Sequence, residues 1–208
     1  MSFKSLEKKY NIKISLNIRD IPHNFFEKPT RYKRLPREDH SKTIKGIDIA
    51  LSKYNIKNLH HYIKRIFVVK EMKEDYEYGG AALNSTIIIA INKHGVKWIS
   101  QTVHHEINHL IVDKSWFNYK YWNNLNYSFN AYSNDSDSFF SKKYNKIKKP
   151  YLKGFVNNYS LVSISEDVAE IAGVFFEDKN FLNKNKVLKN KSLFLENFYN
   201  KLNLIKIT

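Results

Sequence analysis

The spacing of apolar residues predicts strands and amphipathic helices along the first half of the chain. Residues 12–18 alternate apolar and polar side chains, as a half-buried strand does, and residues 65–70 and 81–91 have the composition of two further strands. Apolar residues recur near the helical spacing over residues 43–54 and 96–112. Two strands that lead into a helix predict a small sheet packed on that helix.

The second half of the chain is predicted to be mainly helical. A short helix is expected over residues 115–122, and a longer one begins at Ser163 or Ser165 and runs to about Glu177. A final helix over residues 183–202 has inward-facing apolar side chains. The predicted fold class is therefore α+β, a small mixed sheet on the helix of residues 96–112, followed by a mainly helical C-terminal part.

We expect one domain over residues 1–208, since neither an internal repeat nor a linker is visible. Residues 1–42 form an N-terminal strand and loop, in which the basic cluster of residues 31–34 is interpreted as solvated loop. Residues 123–150 are rich in Asn, Ser, Asp and Lys and are predicted to be an insertion loop.

Charge and composition narrow the classes of protein only a little. The net charge of +15 favours attraction to nucleic acid or acidic partners. However, Lys, Asn, Ile and Tyr are abundant throughout the chain, which favours a general bias in composition over a binding surface as the origin of the charge. No run approaches the roughly 18 apolar residues of a membrane span, and the charged residues 1–10 do not look like a signal peptide. Secreted and cytoplasmic locations both stay open.

One five-residue stretch in the middle of the predicted helix has the side chains of a catalytic metal site. It runs His105-Glu106-Ile107-Asn108-His109, so that His105 and His109 are four residues apart and share a helix face. Two such imidazoles can bind one zinc ion, and Glu106 can hold a water for peptide hydrolysis. Without cysteine, zinc must be held by histidine and carboxylate ligands. The alternative is an ordinary amphipathic helix with surface His and Glu.

A third protein ligand that follows the motif must be a carboxylate, because no histidine follows His109. The carboxylates after His109 are Asp113, Asp135, Asp137, Glu166, Asp167, Glu170, Glu177, Asp178 and Glu196. We favour Glu166, because residues 165–173 form a helix with an apolar back. Glu170, four residues later, would accept the N–H of a zinc-bound imidazole. Asp167 is interpreted as an acid favoured in a first helical turn.

Residues 105–109 followed by Glu166-Asp167-Val168-Ala169-Glu170 resemble the gluzincin metallopeptidases. Within them they look like the branch of anthrax lethal factor's catalytic domain and the bacterial Pro-Pro endopeptidases. That branch carries an oxyanion-stabilising tyrosine about two turns before the glutamate ligand, and Tyr159 lies seven residues before Glu166. The resemblance implies one catalytic zinc, Glu106 as general base and a cleft beneath an edge strand.

These observations predict a zinc metallopeptidase, a hydrolase of peptide bonds that acts as a monomer on a protein or peptide substrate. An extended substrate would pair with an edge strand within residues 81–91. A bacterial secreted or toxin-like protease fits this description. The alternative is a basic module that binds nucleic acid or an acidic protein, with an inactive or accidental HExxH motif.

Overall fold

The computed structural model describes residues 1–26, 28–74, 77–128, 132–133 and 147–206. The chain divides into two compact units. The N-terminal unit comprises Met1–Lys114 with Asn203–Thr208, and the C-terminal unit comprises Ser115–Leu202. The expectation of one catalytic domain over residues 1–208 stays a prediction.

The N-terminal unit contains a sheet, a separate strand pair and the motif helix. Its elements are α1 (Phe3–Tyr10), β1 (Lys13–Ser15), β2 (Arg31–Lys33), α2 (His40–Ser52), α3 (Ile56–Leu59), β3 (Arg65–Val69), β4 (Glu71–Lys73), β5 (Gly80–Leu83), β6 (Thr86–Ala90) and α4 (Val96–Lys114). Short 3₁₀ turns lie at Ile18–Asp20, His23–Phe25 and Arg37–Asp39. The helix α1 was not expected from the alternating pattern that begins after it.

The sheet has the strand order β1-β3-β6-β5 and is mixed. Strand β3 pairs in parallel with both β1 and β6, whereas β5 pairs antiparallel with β6 and lies at the edge. This arrangement confirms the predicted small mixed sheet and the α+β class.

One prediction of local structure in this unit was wrong. Residues 31–34 are not simply a solvated loop, since β2 pairs antiparallel with β4 and Tyr32 lies opposite Met72. Residues 81–91 contain the predicted strand, β6, and also most of β5, because Asn84 and Ser85 turn the chain between β5 and β6 with φ angles of 47° and 67°. Left-handed residues at both centres of a two-residue turn match the twist of a hairpin. The polar residues Asn84, Ser85 and Thr86 interrupt the apolar run at this turn.

Both faces of the sheet are covered by apolar side chains. On one face, Phe67, Val69, Ile88 and Ala90 pack in a cluster with residues from the 18–26 segment and from β4. The alternate residues of β3 and β6 are also buried, and α4 contacts β5 and β6. Helix α2 lies close to α4 at Gly46, where a Cβ would be 2.7 Å from Ile99 Cγ2. These contacts fix α4 firmly within its unit.

The C-terminal unit is mainly helical, as predicted. Its elements are α5 (Tyr119–Asn124), α6 (Ile164–Glu177), α7 (Lys179–Leu182) and α8 (Lys186–Lys201), with 3₁₀ turns at Pro150–Lys153 and Tyr159–Leu161. Ser163 is the N-cap of α6.

The predicted last helix over residues 183–202 is α8, and the separate short helix α7 precedes it. Asn185 caps α8 by accepting the N–H of Val187, which fixes where the long helix begins. Leu193, expected to face inward, is 48% exposed.

The predicted insertion loop, residues 123–150, falls largely outside the described residues, and so does most of the basic and aromatic run that ends at Pro150. Its role therefore stays a prediction. Among the residues that the structure describes, no helix combines the length and apolar character needed to cross a bilayer.

Candidate metal centre

Helix α4 presents His105 and His109 as a pair of adjacent imidazoles. Their Nε2 atoms are 3.1 Å apart, and their ring centroids are 4.9 Å apart with an interplanar angle of 72°. Zinc–nitrogen bonds of 2.0–2.1 Å in a tetrahedral site place two ligand nitrogens about 3.3 Å apart. The two nitrogen atoms therefore have nearly the spacing that one shared zinc ion requires.

Most of the residues of α4 around this pair are buried. Ile99, Val103 and Ile107 are fully buried, which directs the two histidines toward another side of the helix. The neighbouring His104 is also fully buried, and its Nδ1 lies 2.9 Å from the hydroxyl oxygen of Tyr54. Apolar packing and this polar contact both fix how α4 is rotated about its axis.

Glu106 packs against strand β5. Its side chain is buried, and its carboxylate contacts the backbone of Gly80 so closely that a Cβ at residue 80 would lie 2.7 Å from both Cγ and Cδ of Glu106. Glycine is therefore required at this position to leave room for the proposed base. The sequence alone did not indicate this role of Gly80, because the role depends on a contact with a side chain of α4.

Glu166 and Glu170 lie on α6 in the C-terminal unit. The backbone N–H of Glu166 donates to Oγ of Ser163 over 3.2 Å, so Glu166 is in the first turn of the helix. Oε2 of Glu170 accepts a hydrogen bond of 2.6 Å from Nδ2 of Asn157. Both glutamates are half-buried.

Tyr159 begins a 3₁₀ turn shortly before α6. The N–H of Ser160 donates to Oδ1 of Asn157 over 3.0 Å. Since the same Asn157 side chain also donates to Glu170, one residue joins the turn that carries Tyr159 to helix α6. Sequence reasoning did not single out Asn157.

Asp167 is an acid in the first turn of α6, as predicted, but it is also part of a buried hydrogen-bond network that the sequence did not indicate. Asp167 is fully buried, and its Oδ2 accepts from Lys191 Nζ at 2.6 Å, Tyr132 OH at 2.7 Å and Trp122 Nε1 at 2.8 Å. Burial raises the pKa of Asp167 and lowers the pKa of Lys191, while the short contact between them favours the charged forms. Burial also raises the pKa of Tyr132.

Helix α4 offers two imidazoles, His105 and His109, and α6 offers the carboxylate of Glu166. Two imidazoles and one carboxylate are a ligand set of catalytic zinc sites. The donor set therefore fits zinc.

The chain is similar to a solved structure and to a family of known proteins. A solved structure described as a putative zinc-binding metallo-peptidase from Bacteroides caccae is similar with a TM-score of 0.60 and 12% identity, over 96% of this chain and 82% of that one. At that identity the likeness shows the fold. No curated protein matches the sequence. The model of the family described as "Putative zinc-binding metallo-peptidase" matches residues 65–200, more than half of the sequence, and the chain belongs to this family.

Proposed function

We propose that the chain is a zinc endopeptidase of the gluzincin type, similar to the lethal factor and Pro-Pro endopeptidase branch. The observation that carries the proposal is the 3.1 Å spacing of the Nε2 atoms of His105 and His109 on a buried helix, with the buried carboxylate of Glu106 between them in sequence. Membership of a family of zinc-binding metallo-peptidases supports it.

Three residues would hold one zinc ion. These are His105 and His109 from α4 and Glu166 from α6. Zinc supplies Lewis acidity in such a site, since it lowers the pKa of a bound water and polarises a carbonyl group.

The remaining roles fall to side chains that move or stabilise charge. Glu106 would take a proton from the attacking water and later give it to the leaving amine. Tyr159 would donate a hydrogen bond to the oxyanion, and Glu170 would accept the N–H of a ligand imidazole and so fix its tautomer. Asn157, which donates to Glu170, would hold that carboxylate in place.

A protein or peptide segment in extended conformation is the substrate we propose. Strand β5 is the edge strand next to β6, and an extended chain can add to such an edge through main-chain hydrogen bonds. Gly80 of β5 contacts Glu106, so a peptide on this edge would run close to the proposed base. We expect the enzyme to act as a monomer.

Metal content and one substitution test the proposal together. We expect the purified protein to contain about one zinc per chain and to cleave an unfolded protein such as casein in a chelator-sensitive manner. Glu106→Gln removes the base but no zinc ligand, so it should keep zinc and lose about 10²- to 10⁴-fold in cleavage rate. Elemental mass spectrometry and a fluorescent casein assay measure the two quantities.

Asp113→Asn is the matched control, because it also neutralises one carboxylate of α4 but at an exposed position. It should leave both zinc content and rate unchanged. If Glu106→Gln cleaves as fast as the wild type, the mechanism is wrong. A protein that takes up no zinc but shifts nucleic acid in a salt-dependent manner would instead support the basic binding module.

A further inference from the structure

The C-terminal unit contains a buried ion pair whose placement is hard to explain by stability alone. Asp167 and Lys191 are both fully buried, and Lys191 Nζ is 2.6 Å from Oδ2 of Asp167. Removing two charges from water costs several kcal/mol per ion, and well-packed apolar residues often replace such a pair without loss. A specific orientation is therefore a better explanation for the pair than added stability.

The Asp167–Lys191 pair contacts residues from several parts of the C-terminal unit. Oδ2 of Asp167 also accepts from Trp122 of α5 and from Tyr132, and Lys191 of α8 donates to the carbonyl oxygen of Gly154 over 2.9 Å. The ammonium group further lies 4.4 Å from the ring centroid of Phe155. The side chain of Asp167 is thus held from several directions at the first turn of α6.

These contacts also restrict the orientation of Glu166, the residue that precedes Asp167. Successive residues of a helix point about 100° apart, so fixing the direction of Asp167 also fixes the direction in which Glu166 leaves the helix. The N-cap residue Ser163 also holds this first turn, because its Oγ accepts the backbone N–H of Glu166. Apolar packing of α6 is non-directional, whereas hydrogen bonds depend on angle and prevent small rotations of the helix.

We propose that the buried Asp167–Lys191 pair, with Trp122 and Tyr132, positions Glu166 for zinc by fixing the rotation of α6. This inference rests on the proposed function, since it takes Glu166 as a zinc ligand. Asp167 and Lys191 are positioning residues in this proposal and touch neither metal nor substrate.

A double variant separates positioning from stability. Asp167→Leu with Lys191→Met replaces the pair by apolar side chains, but Trp122, Tyr132 and the Gly154 carbonyl lose their hydrogen bonds to it, so we expect a lower melting temperature of the zinc-free protein. The zinc dissociation constant, measured by competition with a chelator at fixed pH, should rise at least tenfold, as it typically does when an outer-shell partner is lost. Tyr132→Phe, which removes a single hydrogen bond, should give a smaller rise in the same direction.

Leu182→Ala is the control, because it opens a cavity at a fully buried position on α7. It should lower the melting temperature and leave the zinc dissociation constant within about twofold. A folded double variant with wild-type zinc affinity overturns the inference, and so does a loss of affinity in Leu182→Ala as large as in the double variant. If the double variant does not fold, the zinc dissociation constant of Tyr132→Phe tests the inference. A rise supports the inference, and a wild-type value overturns it. A wild type that binds no zinc overturns the proposed function itself.

Discussion

Helices α4 and α6 carry their functional side chains in different ways. Helix α4 contributes His105, Glu106 and His109 from one element, and apolar contacts with the sheet and α2 hold it in its unit. Helix α6 contributes one proposed ligand, Glu166, next to a buried aspartate that accepts three hydrogen bonds. Two ligands on one helix orient each other by their spacing, whereas a single ligand depends on how its helix is rotated.

The largest effects should come from removing the ligands themselves. His109→Ala leaves α4 with one imidazole, and Glu166→Ala removes the only ligand proposed on α6. We expect both variants to lose more zinc affinity than the 10- to 100-fold that follows loss of an outer-shell partner, with the greater loss for His109→Ala because it destroys the chelating pair. Chelator competition measures the affinities.

His94→Ala is the control for this comparison, because His94 is exposed and precedes α4. It should leave zinc affinity unchanged. If Glu166→Ala binds zinc as tightly as the wild type, Glu166 is not the third ligand and the histidine pair of α4 accounts for the affinity. If Glu166→Ala weakens binding more than His109→Ala, the ranking of the two helices is wrong.

A smaller effect is expected at Gly80, on the cleavage rate but not on zinc affinity. Gly80→Ala adds a methyl group where the side chain of Glu106 lies, so the carboxylate must move by part of an ångström or more. Displacing a catalytic group by about 1 Å can cost on the order of 10²-fold in rate. We expect a loss of that order in cleavage rate, with zinc affinity unchanged because the added methyl group meets the side chain of Glu106, which is not a proposed ligand.

Gly95→Ala is the matched substitution, since a Cβ at residue 95 meets no other atom within 4 Å. Its cleavage rate should equal that of the wild type. Equal rates for Gly80→Ala and Gly95→Ala would show that Glu106 tolerates displacement and would weaken its assignment as base.

The contrast between the two helices also explains how much the sequence could predict. The α+β class, the mixed sheet and helix α4 follow from apolar periodicity, and the spacing of His105 and His109 follows from helix geometry. Ser163 as a cap and α6 as a helix were equally accessible, because capping residues and acidic first turns are local signals. The assignment of Glu166 as a ligand, however, depended on elimination of other residue types and stays a proposal.

What could not be predicted depends on contacts between residues far apart in the chain. The pairing of Asp167 with Lys191 and the contact of Tyr54 with His104 join distant segments, and no local pattern indicates them. The sequence shows a glycine at residue 80, but the reason that glycine is required there is the Glu106 side chain beside it. The hairpin turn at Asn84-Ser85, by contrast, had a local signal in the polar residues that interrupt the apolar run.

The smallest expected effect concerns a second aspartate, which contrasts with Asp167. Asp39 in the N-terminal unit pairs with Lys42 through Oδ1 and with Lys70 through Oδ2, both at 2.7 Å, and its side chain is 11% exposed. The hydrogen bonds from Lys42 and Lys70 hold the pKa of Asp39 below its usual value. The folded state therefore binds fewer protons here than the unfolded state between the two pKa values.

The stabilisation by Asp39 is consequently complete above the pKa of the unfolded state, about 3.9, and is lost as pH falls through the lower pKa of the folded state. We expect the free energy of unfolding to fall less steeply between roughly pH 5 and pH 3 in Asp39→Asn than in the wild type. Asp113→Asn changes the net charge equally at an exposed position and should keep the wild-type slope. Denaturant unfolding at several pH values measures the slopes, and equal slopes for the two variants would show that the ion pairs of Asp39 do not contribute to acid sensitivity.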